Sequence, residues 1–183
     1  TDGKLYPIQK TAEGAVAYVR HLPSKGYKTF AAVSTDAGQT TPFILIDDYT
    51  LDTPFYTIHL DTNGCFDRLY DKDNDREVLQ AGKKGNLFRM YEDKPIYYDN
   101  WDVDADIELR YRDCSKFLSS QMISRGAVEL RIRNRYQISE KSTITQDMIF
   151  YADSPLVKFE TMMDWQEEHR FLKTAFDTSV FSD

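Results

Sequence analysis

The chain has 183 residues, enough for one domain or for one with a small companion. A hydrophobic fraction of 41% supplies ample core, yet no apolar run approaches the ~18–20 residues of a membrane span, and no charged-then-apolar leader opens the chain. A net charge of −7 argues against a nucleic-acid partner, which calls for a basic patch. In chain order, Leu5–Gln9 is a short apolar stretch and Thr11–Gly14 a turn. Ala15–Leu22 and Tyr27–Val33 read as strands from their β-branched and aromatic residues, with Pro23–Gly26 as the turn between them. Ser34–Pro42 is small and polar, so a boundary falls near residue 40.

Beyond it, Phe43–Ile46 is a brief apolar run. Phe55–Leu60 alternates, with Tyr56, Ile58 and Leu60 on one face. Asp61–Gly64 is a strong hairpin turn, because Asn and Gly tolerate positive φ. Cys65–Tyr70 is the return strand, and Asp71–Glu77 a charged turn. Asp106–Tyr111 and Phe117–Ser124 read as strands, and Ala127–Ile138 is the clearest one. There Val128, Leu130, Ile132, Tyr136 and Ile138 share a face, with Asn134 the lone polar exception. Glu129, Arg131, Arg133, Arg135 and Gln137 share the other. A period of two over that length excludes an amphipathic helix. Thr143–Tyr151, Leu156–Trp165 and Arg170–Phe176 follow as strands, with a corner at Glu167–His169. No helix longer than two turns is expected. Long antiparallel strands joined by short hairpins predict an all-β antiparallel sandwich. A chain opening on Thr1, with strands running to its last residues, fits a piece of a larger protein.

The stretch Asn86–Asp102 carries the chemistry. It starts as a strand, breaks at Pro95, and gathers Tyr97, Tyr98 and Trp101 among Asp93, Asp99 and Asp102. Ring faces cover the apolar C–H patches of sugars, and carboxylates accept hydroxyl hydrogens. The plainer reading is a loop anchored by buried aromatics. A catalytic acid pair for glycoside hydrolysis would need two carboxyl groups held about 5–10 Å apart, which loop spacing does not fix. The histidines, His21, His59 and His169, show no ligand spacing, and Glu168-His169 offers one zinc ligand where at least three are needed. No Walker, dinucleotide or nucleophile-elbow motif occurs. The Arg131, Arg133 and Arg135 row reads as a charged face paired with Glu160 or Asp147 and solvated. Its sharper alternative is a cleft for an anionic or polyhydroxy ligand. Cys65 and Cys114 fit two buried free thiols better than a disulfide or a metal site, which points to a reducing, cytoplasmic compartment.

Four blocks in order also resemble the region after the catalytic domain of family 38 glycoside hydrolases, the class II α-mannosidases. Asp2-Gly3 with Pro7 and Gln9, then Pro23 and Gly26–Thr29, are similar to that family's small β domain. Gly64, Asp71-Lys72 and Arg76–Leu79 match its hairpin. Asn86, Asp93–Pro95 and Asp99–Asp102 match its loop, and Asp164-Trp165, Glu168-His169 and Leu172-Lys173 its late strand. Tyr98, Asn100 and Thr174–Asp177 depart from the pattern. The resemblance implies a small β domain over 1–40. Over 41–183 it implies the first part of a galactose mutarotase-like β-supersandwich. Catalysis and zinc would reside in a catalytic α/β barrel elsewhere in the same polypeptide, so no catalytic, metal or cofactor residue is expected in this segment. Asp93, Asp99, Trp101 and Asp102 are the candidates for a loop that reaches a mannose-containing oligosaccharide. The rivals are a stand-alone carbohydrate-binding module stacking sugar on Tyr97, Tyr98 and Trp101, and a sugar epimerase recruiting His59, His169 and Glu168.

Overall fold

A computed structural model describes residues 3–34, 40–98 and 101–180. Its regular elements are strands, with one 3-10 turn at Ile107–Leu109. The strands are β1 (Ile8–Thr11), β2 (Gly14–Ala17), β3 (Ile44–Leu45), β4 (Thr50–Asp52), β5 (Tyr56–Leu60), β6 (Phe66–Asp71) and β7 (Arg76–Glu77). They continue with β8 (Gly85–Glu92), β9 (Tyr111–Asp113), β10 (Lys116–Arg125), β11 (Glu129–Gln137), β12 (Thr143–Tyr151), β13 (Val157–Asp164) and β14 (Arg170–Phe176). Two antiparallel sheets form the body. One has the order β10-β11-β12-β13. The other runs β14-β8-β6-β5-β4-β3, with β7 on β6 and β9 on β8. β1 and β2 make a separate hairpin. The all-β sandwich expected from periodicity is therefore what forms.

The core follows from the pleat. Val128, Leu130, Ile132, Tyr136 and Ile138 are buried, and Asn134 is buried with them. Leu130, Ile132, Met148 and Phe150 meet Leu51, Ile58, Phe66 and Leu69 of the facing sheet in one cluster. Phe88, Met90 and Cys114 meet Tyr136, Ile138 and Ile144 in a second. Edge-to-face pairs tie them down, with ring centroids 6.4 Å apart for Phe66 and Phe150 and 5.2 Å for Phe88 and Tyr136.

Three local expectations are corrected. Tyr27–Val33 is not a strand. Its β-formers find no neighbouring strand, and without a ladder propensity alone does not order a strand. The segment instead packs by side chains, Phe30 standing edge-on to Tyr6 at 5.7 Å with the Lys28 ammonium over both rings. Ala15–Leu22 shortens to β2. Asp106–Tyr111 is mostly the 3-10 turn, because Arg110 reaches back to Asp106 at 2.7 Å and to Asp104 at 3.4 Å, a compact spacing that an extended chain does not allow. β4 and β7 are too short for a period-two signal, and the sequence did not announce them.

The outward face of β11 is less solvated than its charges suggest. Arg131 binds Glu129 at 3.2 Å, Asp147 at 3.0 Å and Glu160 at 2.7 Å, and Arg133 binds Asp147 at 2.7 Å. Glu129 and Asp147 are buried. Gln9 of β1 explains part of the cover. Its Oε1 accepts from the backbone N–H groups of Val128 and Glu129, and its Nε2 donates to the Glu129 carbonyl. Arg20 adds a bond to the Asp153 carbonyl at 3.0 Å. A small cleft of about 260 Å³ remains between the hairpin and the row, lined by Ala15, Val16, Arg131 and Arg133. The acids already engage both guanidinium groups there, so the ligand-cleft alternative loses the charge of Arg131 and Arg133, while Arg135 farther along the row is exposed.

Candidate functional site

The loop after β8 has an ordered base and an exposed tip. β8 pairs with β14 along its length, Glu92 opposite Arg170 and Tyr91 opposite Phe171. Tyr91 stacks on Phe171 at 4.9 Å and 8°, with Tyr111 at 5.4 Å on its other flank. The Lys173 ammonium lies 4.6 Å from the Tyr91 centroid and pairs with Glu108 of the 3-10 turn. Tyr91 donates its hydroxyl to Glu108 Oε2 at 3.1 Å. The Lys173 bond first, and the Tyr91 bond second, hold the Glu108 carboxyl below its usual range. Burial, then the bond to Glu108, pushes the Tyr91 phenol up. A stacked, charge-tied platform therefore carries the loop.

At the end of β8, Asp93 is 5% exposed and its N–H donates to the His169 carbonyl at 2.8 Å. It belongs to the base. The tip is a tight turn over Tyr98, whose φ of 49° lies in the left-handed region. The Tyr98 carbonyl accepts from Trp101 N at 3.1 Å and Asp102 N at 2.9 Å. Asp102 Oδ1 in turn accepts from Val103 N at 3.0 Å. Ile96, Tyr97, Tyr98 and Trp101 project into solvent, Trp101 with 88% of its surface exposed. Tyr97 and Tyr98 are 6.5 Å apart and tilted by 38°. So Trp101 and Asp102 share the tip, while Asp93 lies in the base, with no hydrogen bond joining it to either among the described residues. Asp99 lies outside the described residues. The reading of a loop anchored by buried aromatics holds for Tyr91 alone, a ring the sequence had placed in the strand; the loop's own rings are exposed.

Other groups do not converge. His59 is on β5, 3.4 Å from Asp67 and tilted against Tyr49. His169 stands at the start of β14, and β8 and β6 separate that strand from β5. Among the described residues no group of three His, Cys, Asp or Glu side chains is placed to hold a metal ion. A cleft of about 1200 Å³ opens elsewhere, at the end of the sandwich, between Lys83-Lys84, Arg112, Lys116 and Lys141. Sequence reasoning missed it, because its cations come from separate stretches of the chain. Its charges are partly spent, Lys84 on Asp61, and it contains none of the loop candidates.

Fold and loop together define a class: an all-β antiparallel domain that presents an aromatic loop on a rigid platform. The chain belongs to the glycosyl hydrolases family 38 C-terminal domain, whose profile matches residues 51–183. It is 31% identical over 134 residues to Alpha-mannosidase 2C1 of Mus musculus, and as much to the Homo sapiens protein of that name, covering 73% of this chain and 13% of each relative. Alpha-mannosidase G of Dictyostelium discoideum is 27% identical over 132 residues, covering 69% of this chain and 12% of that protein. The chain thus spans about one-eighth of the length of the curated relatives it matches. The family resemblance is confirmed, and three of its four blocks, those from Gly64 onward, lie within the matched residues.

Proposed function

We propose that this chain is a non-catalytic β-sandwich segment of a retaining, zinc-dependent α-mannosidase. In this reading residues 1–40 are a small β domain, and 41–183 open the larger sandwich. The segment packs on the catalytic α/β barrel of the same polypeptide, and the tip of the 93–102 loop borders the cleft for a mannose-containing oligosaccharide. The observation that carries the reading is the family match over 51–183. The exposed rings at the loop tip support the placement of the loop. Trp101 covers a C–H face of the sugar, and Asp102 accepts from its hydroxyls. Asp93 supports the loop from its base, and Asp99 completes the acidic set. The zinc of such an enzyme needs at least three protein ligands, and the donor set of the described residues does not fit it; in this reading the barrel holds it. Two buried free thiols support a reducing, cytoplasmic setting. No described helix is long and apolar enough to cross a membrane.

The test uses an aryl α-mannoside with the isolated chain and with the full polypeptide. The full polypeptide turns it over and the chain alone does not; turnover by the chain alone overturns the assignment. In the full polypeptide, Trp101→Ala and Asp102→Asn each lower kcat/KM about tenfold, or ~1.4 kcal/mol of transition-state binding. A second reading, a self-sufficient carbohydrate-binding module, is favoured by the exposure of Tyr97, Tyr98 and Trp101 on the chain alone. Titrating mannose oligomers into the isolated chain while following tryptophan emission separates the two, since only the module binds without the rest of the polypeptide.

A further inference from the structure

The two edges of the four-stranded sheet are built differently. β10, at one edge, is irregular: its pairing with β11 shifts register between Phe117 and Ser119 and again between Met122 and Ser124. Bulges of this kind twist an edge away from a partner. β13, at the other edge, pairs with β12 without a shift from Val157 opposite Phe150 to Asp164 opposite Thr143. It has no proline and no bulge. Its charged side chains are already engaged, Lys158 with Glu160 at 2.6 Å and Glu160 with Arg131 at 2.7 Å. Met162, on the outer face, is 77% exposed. Met163, which the pleat directs inward with Val157 and Phe159, is also exposed. β13 therefore offers a straight row of backbone donors and acceptors flanked by uncovered methionines, a form that natural sheets keep only where something covers it.

We infer that the free edge of β13 is a strand acceptor, completed by a further β-strand of the same polypeptide from outside residues 1–183. The matched relatives supply the length: this chain accounts for 13% of each Alpha-mannosidase 2C1. The incoming strand places apolar residues beside Met162 and Met163, since cross-strand neighbours on one face are the unit of sheet stabilisation. The inference rests on the chain being part of a longer polypeptide and not on the activity of that polypeptide, so loss of the mannosidase reading leaves it standing.

Amide hydrogen exchange over 157–164 tests it. Half of these amides bond to β12, and the alternate ones face outward. In the full polypeptide the outward amides are protected at least about 100-fold over the isolated chain at low concentration. Equal, fast exchange in both overturns the inference. Protection that appears only in the isolated chain, and rises with its concentration, also overturns it, in favour of a second copy. Met162→Pro and Met163→Pro give an independent reading, because one of the two neighbouring amides faces outward and is dispensable to the β12 ladder. The variant that leaves the isolated chain's unfolding midpoint unchanged lowers that of the full polypeptide; no loss there sinks the idea.

Discussion

Asn134 sits in an apolar row because of what lies across the sandwich. Its Nδ2 donates to the Gly64 carbonyl at 3.3 Å and to the Tyr136 hydroxyl at 3.0 Å. Beside it Gln146, its partner on β12, accepts from Asn86 Nδ2 at 2.7 Å and donates to Thr161 at 3.1 Å. This polar knot pins the hairpin turn to the middle of the facing sheet, and a low dielectric makes any disturbance of it costly. Gly64 has φ of 71°, and a Cβ there would stand 2.6 Å from Asn134 Nδ2. Gly64→Ala is therefore expected to cost about 1–3 kcal/mol, read as a lower urea midpoint with an unchanged slope. Asp147 gives the pH counterpart. Burial raises its carboxyl, but bonds from Arg133 and Arg131 outweigh burial and leave it lowered. Its contribution is present above the unfolded value near ~3.9 and is lost as pH falls through the lower folded value. Asp147→Asn leaves two guanidinium groups short of a counter-charge. It is expected to lose about 1–3 kcal/mol at neutral pH and less as the medium is acidified, measured by unfolding at several pH values.

At the scale of elements, strand length decided what could be read. β11, β12 and β13 are eight or nine residues long and were legible as strands, and the alternation of β11 named both of its faces in advance. Two-residue β3 and β7 exist because a neighbour holds them, and no local pattern encodes that. The β1–β2 hairpin is held in the same way, by Gln9 reaching across to residues 128 and 129, about 120 positions away. Gln9→Ala removes three bonds to buried backbone groups. A loss of about 2–3 kcal/mol follows, with faster amide exchange at Val128 and Glu129 as the local sign. In the candidate loop the residue types were legible, but their roles were not. Asp93 belongs to the base because β14 pairs alongside β8, a contact some 80 positions distant. Trp101 belongs to the tip because the chain turns over Tyr98.

At the scale of the whole molecule, the two core clusters are parts of one sandwich, and the two cysteines report on it. Burial pushes the Cys65 thiol up to about 12 and the Cys114 thiol up to about 11. Their sulfurs face the carbonyls of Asn86 and Phe88 on the same strand, β8. Neither should react with iodoacetamide near pH 8 while the chain is folded, and both should react together on denaturation. Staggered labelling, one thiol well before the other, would show that the sheets open separately. The sequence alone determined the all-β class, the two faces of β11 and the family, because period-two alternation and ordered motifs are local properties of the chain. Tertiary structure alone decided that Tyr27–Val33 has no ladder, that Arg131 and Arg133 are paired rather than open, and that Asp93 falls in the base of the loop and Asp102 at its tip. Each of those outcomes depends on a neighbour supplied by distant chain, and hydrogen-bond partners, burial and exposure exist only once that neighbour is in place.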